Sequence, residues 1–293
     1  MFTARVEKIS ANGLVHAVHR FSSDDAPTRT TRRTVLLVHG FLDAAGSWDL
    51  FAEPLCRAGF DVVAPDLRGF GATERVGAGG YYHFPDYIAD LDDLLSSLAP
   101  EWLAVVGHSM GGGVASIFTG AYPERVSKLV IMEGLGPMSE PPELAVDRCR
   151  KWLGDRRRIE RTPRTMTLNE AFSRLKATHP RVADDVLRSR LDKLVVGSEV
   201  SPGRVAWAWD PLHRSASPTP FQSAGFTSFL RAVTCPVLFV DGGPHGWHPP
   251  DEAERVACFR DVRTAVFPDA GHMMHWTAPN EVATAVAAFL DQT

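Results

Sequence analysis

The sequence predicts an α/β protein with a mostly parallel central sheet, helices on both faces and a helical insertion in its second half. Apolar runs without polar alternation, at Thr34 to Val38 and at Cys235 to Val240, have the character of strands buried on both faces. Helix-like stretches alternate with such runs, which implies βαβ units. A third run, Ala104-Val105-Val106, passes through Gly107-His108-Ser109-Met110-Gly111 into a helical stretch, so strand, tight turn and helix follow one another with a serine at the apex.

Taken in order, residues 2–21 alternate around Asn12-Gly13, a dipeptide that favours a two-residue hairpin turn. A polar connection, read as mobile, spans Ser22 to Arg33. The buried run at 34–38 ends in His39-Gly40-Phe41. Ser47 to Arg57 reads as a helix, Phe60 to Ala64 as a buried strand, Asp66 to Gly71 as a structured turn and Tyr82 to Leu98 as a helix with an apolar stripe. After the serine turn comes a helix to about Tyr122, then a strand from Val126 to Met132 that closes on Glu133.

From Gly134 to about Ala232 the rhythm breaks. This stretch is punctuated by proline, has helix-like segments near 143–154, 168–178 and 181–195, and holds Trp152, Trp207 and Trp209. It is expected to lie over the carboxyl edge of the sheet as a cap (134–232), with 1–133 and 233–293 forming the core. The strand at 235–240, a helix near 250–259, a strand at 263–267, a loop with His272 and a helix from Pro279 to Leu290 complete the chain.

At 293 residues the chain suits one large domain or a core with an insertion, because single cores stop growing at about 250–300 residues. A formal net charge of -4 argues against nucleic acid as a partner. The arginine-rich stretch from Arg148 to Arg164 also carries Asp155 and Glu160, and is read as a solvated helical face. Cys56, Cys149, Cys235 and Cys258 show no metal or disulfide spacing, which fits a reducing compartment. The first 20 residues lack an uninterrupted apolar segment, and no apolar run approaches a membrane span, so a soluble, cytoplasmic protein is expected. No metal or organic cofactor is expected, since no ligand cluster or phosphate-binding glycine motif is present.

The chemistry centres on Ser109. A serine on a G-x-S-x-G turn sits in a strained backbone with nearly side-chain-free flanks, which pushes its hydroxyl outward. The helix starting near Met110 aims backbone N–H groups at the place where an oxyanion would form. A serine hydroxyl needs a general base, and the base needs an acid to fix its tautomer. His272 is the expected base, on the loop after the last predicted strand. His275 lies further into that turn and His108 inside the elbow, so both are weaker candidates.

Four stretches in this order, His39-Gly40, Asp66-Leu67-Arg68-Gly69-Phe70-Gly71, Gly107-His108-Ser109-Met110-Gly111 and Gly271-His272-Met273-Met274-His275, resemble the α/β-hydrolase fold superfamily over nearly the whole chain. The resemblance implies Ser109 as nucleophile, His272 as base and the backbone N–H groups of Phe41 and Met110 as the oxyanion hole. Epoxide hydrolases and haloalkane dehalogenases of this fold use an aspartate nucleophile, so a serine at 109 disfavours both. The acid departs from the common pattern: Gly242-Gly243-Pro244-His245-Gly246 has no carboxylate where most members carry one. Glu133 is preferred and Asp241 is the alternative.

The implied function is a serine hydrolase acting on a small-molecule carboxylic ester or related acyl substrate through an acyl-enzyme. His39, His108, Trp207 and Trp209 are expected at the substrate pocket, the two tryptophans having packing between cap and core as an equal alternative. Ala206 to Pro211 resembles a cap segment of serine-hydrolase-like proteins. A carbon–carbon bond hydrolase, a perhydrolase and a ligand-binding protein without turnover are the rival functions. Oligomeric state is not legible.

Overall fold

The computed structural model describes residues 1–27, 32–198 and 201–292. The opening hairpin consists of β1 (Phe2–Ala11) and β2 (Leu14–Ser23), paired antiparallel. Asn12 and Gly13 join them with φ of 46° and 75°, the two positive values that a primed turn needs. Of the polar connection that follows, residues 28–31 lie outside the described residues.

Next come β3 (Arg33–Val38), α1 (Asp49–Arg57), β4 (Asp61–Pro65), α2 (Phe84–Leu98), β5 (Trp102–His108), α3 (Met110–Ala121) and β6 (Lys128–Met132). The interposed region holds α4 (Ala145–Arg158), α5 (Leu168–Thr178), α6 (Asp184–Leu194), a short hairpin of β7 (Val195–Gly197) with β8 (Val205–Trp207), and α7 (Ser223–Ala232). The chain closes with β9 (Val237–Asp241), α8 (Glu252–Val256), β10 (Val262–Val266), α9 (Met274–Thr277) and α10 (Pro279–Asp291).

Among the described residues the main sheet has eight strands in the order β1-β2-β4-β3-β5-β6-β9-β10. Only β1 with β2 and β2 with β4 pair antiparallel; the rest is parallel. The two-residue period of a strand splits the apolar runs between two cores. Leu36, Val38, Leu103 and Val105 face Leu91, Val114, Phe118 and Leu230, contributed by α2, α3 and α7. Val35, Leu37, Ala104 and Val106 face Phe51, Leu55, Val286 and Phe289 of α1 and α10. That double coverage is why these runs show no polar alternation.

Helix α7 crosses α3 at close range: a Cβ on Gly120 would lie 2.4 Å from the carbonyl oxygen of Phe229. A third apolar cluster joins Met166, Leu175, Leu187 and Leu191 to Ala44, Met273 and Trp276, so α5 and α6 rest on the loops that leave β3 and β10. Buried Arg190 of α6 pins this contact by donating to the carbonyl of Ser47, at 2.7 Å, and pairing with Asp49. Thr167 starts α5 as a capping box, accepting from the Glu170 N–H at 3.2 Å while its own N–H donates to the Glu170 carboxylate at 2.6 Å. The β7–β8 hairpin was not distinguished in the sequence, being only three residues a strand.

Candidate active site

Ser109 occupies the turn between β5 and α3 with φ 51° and ψ −119°, in the left-handed half of backbone space. Such a conformation costs a non-glycine residue on the order of 1–3 kcal/mol. Close packing holds it there: a Cβ at Gly107 would lie 2.4 Å from the Gly111 carbonyl oxygen, and one at Gly111 would lie 2.2 Å from that of Val38. Any side chain at either flank would drive the turn apart.

The hydroxyl of Ser109 lies 3.1 Å from His272 Nε2, and His272 Nδ1 lies 2.7 Å from Glu133 Oε2. A carboxylate only accepts, so Nδ1 carries the proton and the bare Nε2 accepts from the serine hydroxyl. Burial is graded along this chain of bonds: the His272 side chain is 31% exposed and that of Glu133 is fully enclosed. An isolated buried carboxylate would be costly, but this one is saturated with donors. Its Oε1 accepts from Gly242 N–H and its Oε2 from Trp247 N–H, both at 2.7 Å. Glu133 itself has φ 48°, a second strained residue at the end of the neighbouring strand.

Asp241 is turned elsewhere. Its carboxylate accepts the Gly243 N–H at 2.6 Å, so it anchors the loop leaving β9. That loop wraps the Glu133 carboxylate, and its glycines give the reason for the missing acid: a Cβ at Gly246 would fall 1.8 Å from Glu133 Oε1, and one at Gly242 would fall 2.7 Å from it. Backbone N–H groups of this loop take up the space around the Glu133 carboxylate. His248 completes the wrap, donating from Nε2 to the Gly243 carbonyl at 2.7 Å, with Nδ1 2.9 Å from Glu252. The Gly243 carbonyl above all, and Glu252 after it, hold the His248 pKa up to about 9 against the effect of burial. Neither Trp247 nor His248 was anticipated; the signal was the glycine density of 242–246.

Met110 opens α3, where the first N–H groups lack intrahelical acceptors, and Phe41 follows β3 on the adjacent loop. A Cβ on Gly40 would lie 3.2 Å from the Ser109 Cβ, so the backbone bearing Phe41 runs close beside the serine.

Two histidines placed at the pocket from sequence are structural instead. His39 is fully buried, its Nδ1–H donating to the Gly40 carbonyl at 2.8 Å and its Nε2 accepting from Leu67 N–H at 3.0 Å. It ties the loop after β3 to the turn after β4. His108 points away from the hydroxyl, as its position within the elbow suggested, and its Nε2–H donates to the His272 carbonyl at 2.8 Å. Burial first, and then the neighbouring His275 and His272, push its pKa well below the usual value, so it stays neutral. Both side chains are buried and spend their ring nitrogens on backbone groups of the loops around the serine. His275 is also enclosed, with Nε2 3.0 Å from Asp43 Oδ2.

Trp207 and Trp209 lie two residues apart on one extended segment with parallel rings, 6.3 Å between centroids and 11° between planes. Trp209 bridges to Phe70, whose ring stacks on His213 and meets Phe41 edge-on at 6.4 Å. His213 was not singled out in the sequence; burial holds its pKa down to about 3, making it a neutral aromatic spacer.

Among the described residues, the donor atoms of buried Asp43, His108 and His275 converge within 4.8 Å, and so does a second set, from buried Glu133, partly exposed Asp241 and exposed His248. The second is fully engaged in the hydrogen bonds described above. In the first, Asp43 is already committed to Ser47, at 2.6 Å, and to His275. No helix among the described residues is long and apolar enough to cross a membrane.

An open parallel sheet with a strained serine at the end of its central strand defines a class, and comparison with known proteins gives it a name. The chain belongs to the alpha/beta hydrolase fold family, which matches residues 33–279. It is 32% identical over 176 residues to a serine hydrolase-like protein of Danio rerio, covering 57% of this chain and 54% of that protein. The chain therefore spans about half the length of that relative. It is 27% identical to a 2-hydroxy-6-oxononadienedioate/2-hydroxy-6-oxononatrienedioate hydrolase of Paraburkholderia xenovorans, covering 88% of this chain and 86% of that one. Among solved structures, a hypothetical protein of Pseudomonas aeruginosa PAO1 superposes with a TM-score of 0.83 at 24% identity, covering 98% and 99% of the two chains.

Proposed function

We propose that the protein is a serine hydrolase that cleaves a small-molecule carboxylic ester or related acyl compound through an acyl-enzyme. The observation that carries this is the unbroken chain of hydrogen bonds from Ser109 through His272 to a saturated, buried Glu133. In the first half-reaction Ser109 Oγ attacks the acyl carbon as His272 Nε2 takes its proton, and Glu133 stabilises the resulting imidazolium. The N–H groups of Phe41 and Met110 receive the oxyanion, a contribution of about 3–4 kcal/mol for each such donor. His272 then protonates the leaving group, and water attacks the acyl-enzyme by the reverse sequence. No metal or organic cofactor has a step in this scheme. The segment 134–232 serves as the cap, and the four cysteines, all free, fit a reducing compartment such as the cytoplasm.

The relative from Paraburkholderia xenovorans favours a second reading, in which the same serine and histidine serve carbon–carbon bond hydrolysis. A panel of p-nitrophenyl esters of rising acyl length separates the two. Turnover that falls about 10⁴-fold or more in Ser109→Ala with the melting temperature unchanged is the expected result. Turnover within tenfold of the wild type in that variant refutes the nucleophile.

A further inference from the structure

A cleft of about 620 Å³ opens in the interposed region between α4, residues 159–166, α5 and residues 207–214. Lys151, Arg158, Arg164, Arg174 and Arg214 line it, against the single carboxylate of Glu160. This gathering of cations occurs in a chain of formal net charge -4. A concave surface lined by one sign of charge concentrates ligands of the other. Lys151 and Arg158 share the buried Asp155, at 3.3 and 2.8 Å, and Arg164 lies 3.7 Å from Glu160. Arg174 and Arg214 have no carboxylate of a described residue within 4.0 Å, which leaves their guanidinium groups available to an oxyanion in bidentate geometry.

Apart from Thr162 the remaining wall is apolar, with the parallel indoles of Trp207 and Trp209 beside Met166 and Pro211. Trp209 is stitched to the turn after β4 by its bridge to Phe70 and by the Asp210 N–H, which donates to the Gly69 carbonyl at 2.8 Å. Phe70 in turn meets Phe41, whose loop runs beside Ser109. The tryptophan wall of the cleft and the loop bearing Phe41 thus meet at the same turn after β4, the first through a backbone bridge to Phe70 and the second through an edge-on ring contact with it.

We propose that this cleft binds an oxyanion carried at the far end of the acyl substrate, so that the preferred class is a carboxylate- or phosphate-bearing ester or thioester with an apolar connecting chain. This rests on Ser109 being the nucleophile. Arg174 and Arg214 hold the oxyanion and the tryptophan face holds the chain.

The test compares p-nitrophenyl esters of a series of ω-carboxy acids and ω-phosphonooxy acids with neutral esters of equal length. The wild type should favour an anionic series by tenfold or more in kcat/KM at one chain length, and 1 M NaCl should erase that preference. Arg174→Ala/Arg214→Ala should lower the anionic-to-neutral ratio by tenfold or more at unchanged melting temperature, with Arg174→Lys/Arg214→Lys intermediate. Whichever anion suffers the larger loss names the group. Equal rates on charged and neutral esters, or a ratio unmoved by the double alanine variant, overturn the proposal. Should no ester be turned over at all, the ester reading fails by itself, and the fluorophosphonate reaction of Ser109 decides the nucleophile separately. Calorimetric titration with the free dicarboxylate and ω-phosphonooxy acid series then decides the cleft, binding abolished in the double variant supporting it and an absence of binding refuting it.

Discussion

The strand ends and the interposed cleft both gather charge, but they satisfy it in opposite ways. At the strand ends each polar atom that matters is committed: Glu133 accepts from Gly242, Trp247 and His272, and His272 in turn accepts from Ser109. In the cleft, Arg174 and Arg214 have no carboxylate of a described residue within 4.0 Å, Glu170 acting on Arg174 only from further off, and the side chains of Arg158 and Arg164 are 77% and 84% exposed. A group held by several hydrogen bonds is preorganised for one geometry and needs no rearrangement when charge develops, which suits it to chemistry. Exposed cations on long stems are screened by salt and adjust to their partner, which suits them to selection.

The comparison is broken most severely at Glu133. Glu133→Gln keeps the shape and a hydrogen-bonding oxygen but removes the charge that stabilises the imidazolium, so kcat should fall by about 10²–10⁴. Asp241→Asn, at a carboxylate that accepts the Gly243 N–H and lies 3.7 Å from His248 but makes no hydrogen bond to His272, should change kcat less than tenfold. Steady-state rates of the two purified variants decide it, and a crippled Asp241→Asn beside a near-normal Glu133→Gln would reverse the assignment of the acid. Neutralising Arg174 and Arg214 should have the intermediate effect described above, expressed as lost preference between substrates.

The smallest effect belongs to His248, which braces the loop around Glu133. Its pKa is raised from 6.5 to about 9, so the stabilisation it contributes is fully present below about 6.5 and is lost as pH rises through 9. Its side chain is about a third exposed, which keeps the contribution modest. Melting temperatures from pH 6 to 10 should show the wild type above His248→Gln at the acid end, with the gap closing through pH 9. A gap constant across that range would show that His248 acts by shape alone.

Much of this division is legible in the amino-acid sequence. The buried strands announce themselves because coverage on both faces removes polar alternation, as at Val35 to Val38, and the elbow because Gly107 and Gly111 each abut a backbone carbonyl. Glu133 was preferred to Asp241 because a carboxylate ending a buried strand needs partners, and it is the carboxylate 2.7 Å from His272 Nδ1. The identity of those partners was hidden, since backbone N–H groups of Gly242 and Trp247 leave no side-chain signature. His39 and His108 were placed wrongly for a related reason: strand-end position was visible, but the direction of the side chain depends on the pleat. The reading of 148–164 as a solvated face holds, with Arg158 and Arg164 77% and 84% exposed; what the sequence does not show is that Arg174 and Arg214 share a cleft with them.

The claim that Ser109 is a nucleophile activated by His272 is tested most directly by a fluorophosphonate, followed by peptide mapping of the adduct. The wild type should be modified stoichiometrically on the peptide containing Ser109, with labelling abolished in Ser109→Ala and slowed by about 10³-fold or more in His272→Ala. An adduct on another residue, or labelling of the wild type no faster than of Ser109→Ala, would contradict it.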